Sequence, residues 1–152
     1  MALVQKVSFK STQIAFGSLA SSLMGMVLLE GVDSSRINFV SYKENAIKNT
    51  ERSMRGEVPG VEVVNITAPQ LIKQQKKFLS QVKNKTNLIR FLVEEWQTEQ
   101  YVQRIQRNRK ELYVTCEEKC WRISGDRTVG VPELCSCQEE AVTRLLLRAR
   151  WL

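Results

Sequence analysis

The sequence predicts an α/β domain with a mainly parallel sheet flanked by helices. Three observations carry that expectation. Short apolar, β-prone runs alternate with longer stretches whose apolar residues recur at three- and four-residue steps. The length, 152 residues, is one domain's worth and allows a self-supporting core. The composition, 43% hydrophobic and 26% charged, excludes a collagen-like chain, a disulfide-dense miniprotein and a fully disordered chain.

Met1 to Val7 reads as a short apolar strand. Ile14, Phe16, Leu19, Leu23, Met26 and Val27 then follow a helical spacing, and Gly31 is placed to cap that helix. Residues 11–29 carry no charge, but their serines, glycines, Thr12 and Gln13 are too polar for the apolar core of a signal peptide or for a membrane span. Ile37-Asn38-Phe39-Val40 reads as a buried-type strand leading into residues 42–55, which are polar on nearly every side. A helix that polar lies in solvent or is organised by a charged ligand.

Gly56, Pro59 and Gly60 break the chain, and residues 61–66 alternate weakly, as a strand does. Thr67-Ala68-Pro69-Gln70 has the capping-box pattern, with proline inside the first turn. The helix it opens would place Leu71, Ile72, Phe78, Leu79 and Val82 on one face, with Lys73, Lys76 and Lys77 mainly off it. Thr86 is set to cap a further helix, with Leu88, Ile89, Leu92, Val93 and Trp96 inward and a basic far end at residues 103–110. Residues 112–115 and 121–124 are β-prone and close together, which predicts a hairpin or two adjacent strands. Residues 125–132 read as a loop and residues 138–151 as a final helix.

The net charge is +7, and it is localised. Residues 43–110 hold 14 Lys/Arg against 7 Asp/Glu, whereas the rest of the chain holds 9 of each. A basic helical middle segment is the footprint expected of a polyanion binder, above all DNA or RNA. The alternative is a solubilising face on ordinary amphipathic helices. There is no histidine. That excludes His-based acid–base chemistry, Ser–His triads and His-containing zinc sites, and leaves carboxylates, thiols, lysines and tyrosines.

Cys116, Cys120, Cys135 and Cys137 are spaced C-x3-C and C-x-C. The first pair fits a four-thiolate zinc site loosely, and the second is too tight. Small buried thiols in a reducing compartment are the other reading. Glu139-Glu140 could hold a divalent cation if other acids converge there, or could simply be helix N-terminal charge. Asn65-Ile66-Thr67 and Asn84-Lys85-Thr86 match the glycosylation sequon, which matters only for a secreted chain. The expected location is intracellular, nuclear or cytoplasmic, without membrane association.

Several runs together resemble a largely uncharacterised, multi-copy animal family. They are Met1-Ala2-Leu3-Val4-Gln5-Lys6, the run from Tyr42 through Glu44-Asn45, Ile47-Lys48-Asn49 and Glu51-Arg52, Leu112-Tyr113-Val114-Thr115-Cys116, Gln138-Glu139-Glu140-Ala141 and Thr143-Arg144-Leu145-Leu146-Leu147. That family looks related to PIN-like nuclease domains of the flap-endonuclease type. The resemblance covers nearly the whole chain and implies one PIN-like domain over residues 1–152.

It also implies a mechanism. Such nucleases gather acids at the ends of parallel strands around two divalent metals, magnesium or manganese, that activate water and stabilise the leaving oxygen. A basic helix after the second strand grips phosphates. By position, residues 42–55 match that helix, with Lys43, Lys48, Arg52 and Arg55 as nucleic-acid contacts, and Glu139 and Glu140 match the acidic pair and are the candidate metal ligands.

The departures weigh against activity. Where the family has F-D-V-Y, this chain reads Phe39-Val40-Ser41-Tyr42, and the aspartate of E-E-A-D-T-R is Val142. The first-strand acid would precede Met1 and a later aspartate cluster would follow Leu152, so the chain is expected to be a truncated, degenerate relative. Cys116 and Cys120 fit the family's pattern, while Cys135 and Cys137 do not. The expected function is a catalytically silent domain, without a cofactor, that binds nucleic acid weakly and without sequence preference. The alternatives are an active magnesium- or manganese-dependent nuclease that recruits Glu117 or Asp126, and a protein-interaction module with no nucleic-acid role.

Overall fold

The computed structural model describes residues 14–29, 34–38, 61–116, 119–125 and 127–134. The order is β1 (Ile14–Ala15), α1 (Phe16–Leu29), β2 (Ser34–Asn38), β3 (Leu71–Ile72), α2 (Gln75–Ser80), α3 (Val82–Trp96), α4 (Glu99–Arg107), β4 (Glu111–Cys116), β5 (Lys119–Ile123) and β6 (Thr128–Gly130). A short 3-10 turn at Pro132–Leu134 follows.

α1 forms where the apolar spacing places it, burying Phe16, Leu19, Ala20, Leu23, Met24 and Val27. It has no acidic residue in its first turn and no basic residue in its last. Its ends are satisfied by other segments instead, as the orphan backbone groups of a helix require. The N–H groups of Phe16 and Gly17 donate to the carbonyls of Gln70 and Ala68 at 3.0 and 2.9 Å. At the other end, Lys110 Nζ donates to the Leu28 carbonyl at 2.7 Å. Gly17 suits this close approach, because a Cβ there would sit 3.1 Å from the Ala68 Cβ and 3.2 Å from its carbonyl oxygen, so the neighbouring segment would have to give by a few tenths of an ångström.

The capping-box sequence forms only half of its pattern. Gln70 Oε1 accepts from the Thr67 N–H at 3.3 Å, but the Gln70 N–H closes a turn onto the Thr67 carbonyl. The chain then enters β3, where Ile72 pairs with Ile14 and Leu71 with Ala15. Pairing with β1 overrides the local helix signal, and α2 starts only at Gln75. Gln81 is extended and ends α2, so the next helix begins at Val82 and not at Thr86. A second break at Thr98, also extended, separates α3 from α4. Residues 61–66, expected as a strand, join no strand ladder of the described chain.

The core lies where α1, α3, α4 and the larger sheet meet. Leu88, Leu92 and Trp96 of α3 are fully buried, with Ile105 of α4 and Leu112 and Val114 of β4. Trp96 Nε1 donates to the Ala20 carbonyl at 3.1 Å, which satisfies the polar end of a buried indole. Phe16 meets Phe78 and Phe91 edge-on, with ring centroids 5.3 and 6.0 Å away.

The fold is mixed α/β, and the expected mainly parallel sheet needs correcting. In the four-stranded sheet, ordered β2-β4-β5-β6, the β2–β4 pairing is parallel and the other two are antiparallel. The β1–β3 pair is antiparallel as well. The reason lies in the connections. A stretch containing α2, α3 and α4 separates β2 from β4 and permits a parallel return, whereas short links force β4, β5 and β6 into hairpins. The β4–β5 hairpin is the one the sequence predicts. β6 lies in the stretch read as a loop. The strand expected at residues 37–40 starts earlier, at Ser34. The segments 1–7, 42–55 and 138–151 lie outside the described residues.

Candidate functional site

The candidates taken from the resemblance, Lys43, Lys48, Arg52, Arg55, Glu139 and Glu140, all lie outside the described residues. So do Glu117, Asp126, Cys135 and Cys137. Within the described residues, no three acidic, thiol or imidazole side chains cluster closely enough to hold a metal ion. Cys116 and Cys120 are buried thiols of the β4–β5 hairpin, and Thr115 Oγ1 lies 3.9 Å from Cys120 Sγ. No helix among the described residues is long and apolar enough to cross a membrane.

The structure sorts the rest of the basic segment into two groups. Some cations hold the fold together. Arg104 of α4 reaches α1, where Nη1 donates to Ser21 Oγ at 3.0 Å and lies 3.4 Å from the Ser21 carbonyl. Gly25 leaves room for this guanidinium, since a Cβ there would sit 3.3 Å from Nη2. Lys110 caps the end of α1. Arg104 and Lys110 therefore belong to packing, whereas Lys83 pairs with Glu62 at 3.4 Å only as a half-exposed surface ion pair of small effect.

Others face outward. Lys73, Lys76 and Lys77 are exposed and have no carboxylate partner among the described residues. They sit between β3 and the end of α2, and Lys73 and Lys77 line a half-open cleft of about 650 Å³. Phe16, Val63, Ile72 and Phe78 line its apolar part, and Val61 and Leu71 its exposed margin. Gln70, Gln74, Lys73 and Lys77 are its polar groups, and among the described residues no acid lines it. A concave apolar wall with a few convergent polar groups is the usual form of a binding site.

One wall of the cleft is built by an asparagine. Asn84, fully buried in the first turn of α3, accepts from the Val63 N–H at 2.7 Å. Its Nδ2 donates to the carbonyls of Val61 at 2.8 Å and Phe78 at 3.1 Å. Asn87 Nδ2 adds a bond to the Val63 carbonyl at 2.9 Å. Two side-chain amides thus do for residues 61–63 what a neighbouring strand would do. The same bonds exclude Asn84 as a glycan acceptor in the folded chain, because its amide nitrogen is buried and bonded twice.

Lys73, Lys76 and Lys77 are visible in the sequence as off-face cations, whereas the cleft and the role of Asn84 are not. A signal for Asn84 was present. It continues the Leu88–Leu92–Trp96 row at four-residue steps, and a polar residue in a buried row needs a partner. Comparison with protein-family models, curated proteins and solved structures finds no match.

Proposed function

We propose that this chain is a catalytically silent relative of PIN-like nuclease domains that binds nucleic acid weakly and without sequence preference. One observation supports the binding above all: three ammonium groups, Lys73, Lys76 and Lys77, stand exposed in one short stretch without a carboxylate partner among the described residues. Such groups neutralise phosphates and release counterions whatever the base sequence. Lys43, Lys48, Arg52 and Arg55 supply further positive charge in the same basic segment.

Residue types support the lack of catalysis. Val40-Ser41 and Val142 stand where the family resemblance calls for aspartates. Glu139 and Glu140 are adjacent, and two neighbouring glutamates cannot enclose the two divalent cations of such a site.

A mobility-shift titration with single-stranded DNA and RNA of unrelated sequences tests the binding. Shifts at low salt, similar across sequences, are expected. Strong preference for one sequence, or no shift at low salt, would contradict the reading. Incubation of labelled flap and single-stranded substrates with magnesium or manganese tests the silence. Cleavage lost in Glu140→Gln would establish the active-nuclease alternative.

A further inference from the structure

The cleft beside Lys73 and Lys77 has an open backbone edge. In an extended chain the N–H and C=O of successive residues point to opposite sides. The Val61 carbonyl and both backbone groups of Val63 point to α3, where Asn84 and Asn87 bond them. The backbone groups of Glu62 and Val64 therefore point the other way, and they have no partner among the described residues. The margins are apolar and open, with Val61 84%, Val64 66% and Leu71 47% exposed. An unpaired edge beside exposed valines is a template for another strand.

We infer that this edge is a docking site for an extended peptide of alternating apolar and acidic residues, which adds as a strand alongside residues 61–64. Every second side chain of an added strand lies on the face that Val61 and Val63 present to the cleft. Those side chains cover the apolar wall of Phe16, Ile72 and Phe78. Charge selects the acidic partner. Lys73 and Lys77 line the cleft, no acid among the described residues does, and the nearby Glu62 carboxylate is paired with Lys83. The open edge favours a peptide over a small amphipathic anion, which would use the wall and the lysines but not the backbone.

The experiment uses the full chain and four synthetic hexapeptides: alternating Glu and Val, alternating Lys and Val, and two Glu–Val peptides N-methylated at alternate amides, one in each register. Binding is read by fluorescence anisotropy. The Glu–Val peptide is expected to bind. Each lost backbone hydrogen bond is expected to weaken an N-methylated form about tenfold. The Lys–Val peptide is expected not to bind. Lys73→Glu with Lys77→Glu, and separately Val61→Asp, all at exposed positions, are expected to weaken binding with the circular dichroism unchanged. The inference is overturned if the Glu–Val peptide does not bind, if N-methylation leaves affinity unchanged in both registers, or if replacement of Glu by Lys leaves affinity unchanged. It is also overturned if the chain alone sediments as a dimer that Val61→Asp dissociates, since a second copy would then occupy the edge.

Discussion

Asn84 holds backbone at three points, and its position explains why. It lies in the first turn of α3, within reach of both the end of α2 and the extended segment 61–63. Truncation to alanine leaves the Val63 N–H and the Val61 carbonyl without partners. The expected cost is about 2–4 kcal/mol, read as a lower urea midpoint. Arg109 shows the opposite case. It has φ 52°, and its N–H donates to Gln106 while Lys110 donates to Ile105, so α4 ends in a Schellman turn. Glycine suits that conformation, and Arg109→Gly is expected to stabilise the fold by about 0.5–1 kcal/mol in the same assay. The turn also delivers Lys110 to the end of α1, which is why this basic residue belongs to packing. Tyr101 sets an alkaline limit. Burial, reinforced by Glu95, pushes its phenol above the ordinary value, with Arg104 and Ser21 opposing. A raised value in the folded state means stability is intact below the unfolded value and falls as pH rises through the folded one. Thermal melts from neutral to strongly alkaline pH are expected to show this loss, and Tyr101→Phe is expected to reduce it.

At the scale of elements, helix identity was legible and helix ends were not. The spacing of Phe16, Leu19, Leu23 and Val27 marks α1 because the periodic face is what the core buries. The breaks at Gln81 and Thr98 are not marked, because neither residue is a strong helix breaker. They follow from tertiary demands, such as the Asn84 bond to the Phe78 carbonyl. Thr67-x-x-Gln70 failed as a helix start for a similar reason, since the Gln70 carbonyl is needed by the Phe16 N–H. Docking of α1 on α4 makes a separate prediction. If Arg104 holds α1 through Ser21, a double-mutant cycle of Ser21→Ala and Arg104→Met should give a coupling of about 0.5–1.5 kcal/mol. Additive effects would show that the guanidinium contributes only its aliphatic packing.

At the scale of the whole molecule, the sequence shows the alternation of helix and strand but not strand direction. Direction depends on connection length, and β6 is three residues long, too short for a periodic pattern to reveal. The candidate site was legible as charge and not as shape. Lys73, Lys76 and Lys77 can be counted in the sequence, but Arg104 and Lys110 count equally there, and only packing tells the two groups apart. On the function proposed above, the exposed lysines bind a polyanion and the packed cations do not. The most direct measurement is affinity for single-stranded nucleic acid against salt, in the parent chain and in the Lys73→Gln, Lys76→Gln, Lys77→Gln triple variant. The parent is expected to show a negative log–log slope, and the variant a slope shallower by about 2, near 0.7 per lost phosphate contact. An unchanged slope in a folded variant, or a parent that does not bind at low salt, would contradict the account.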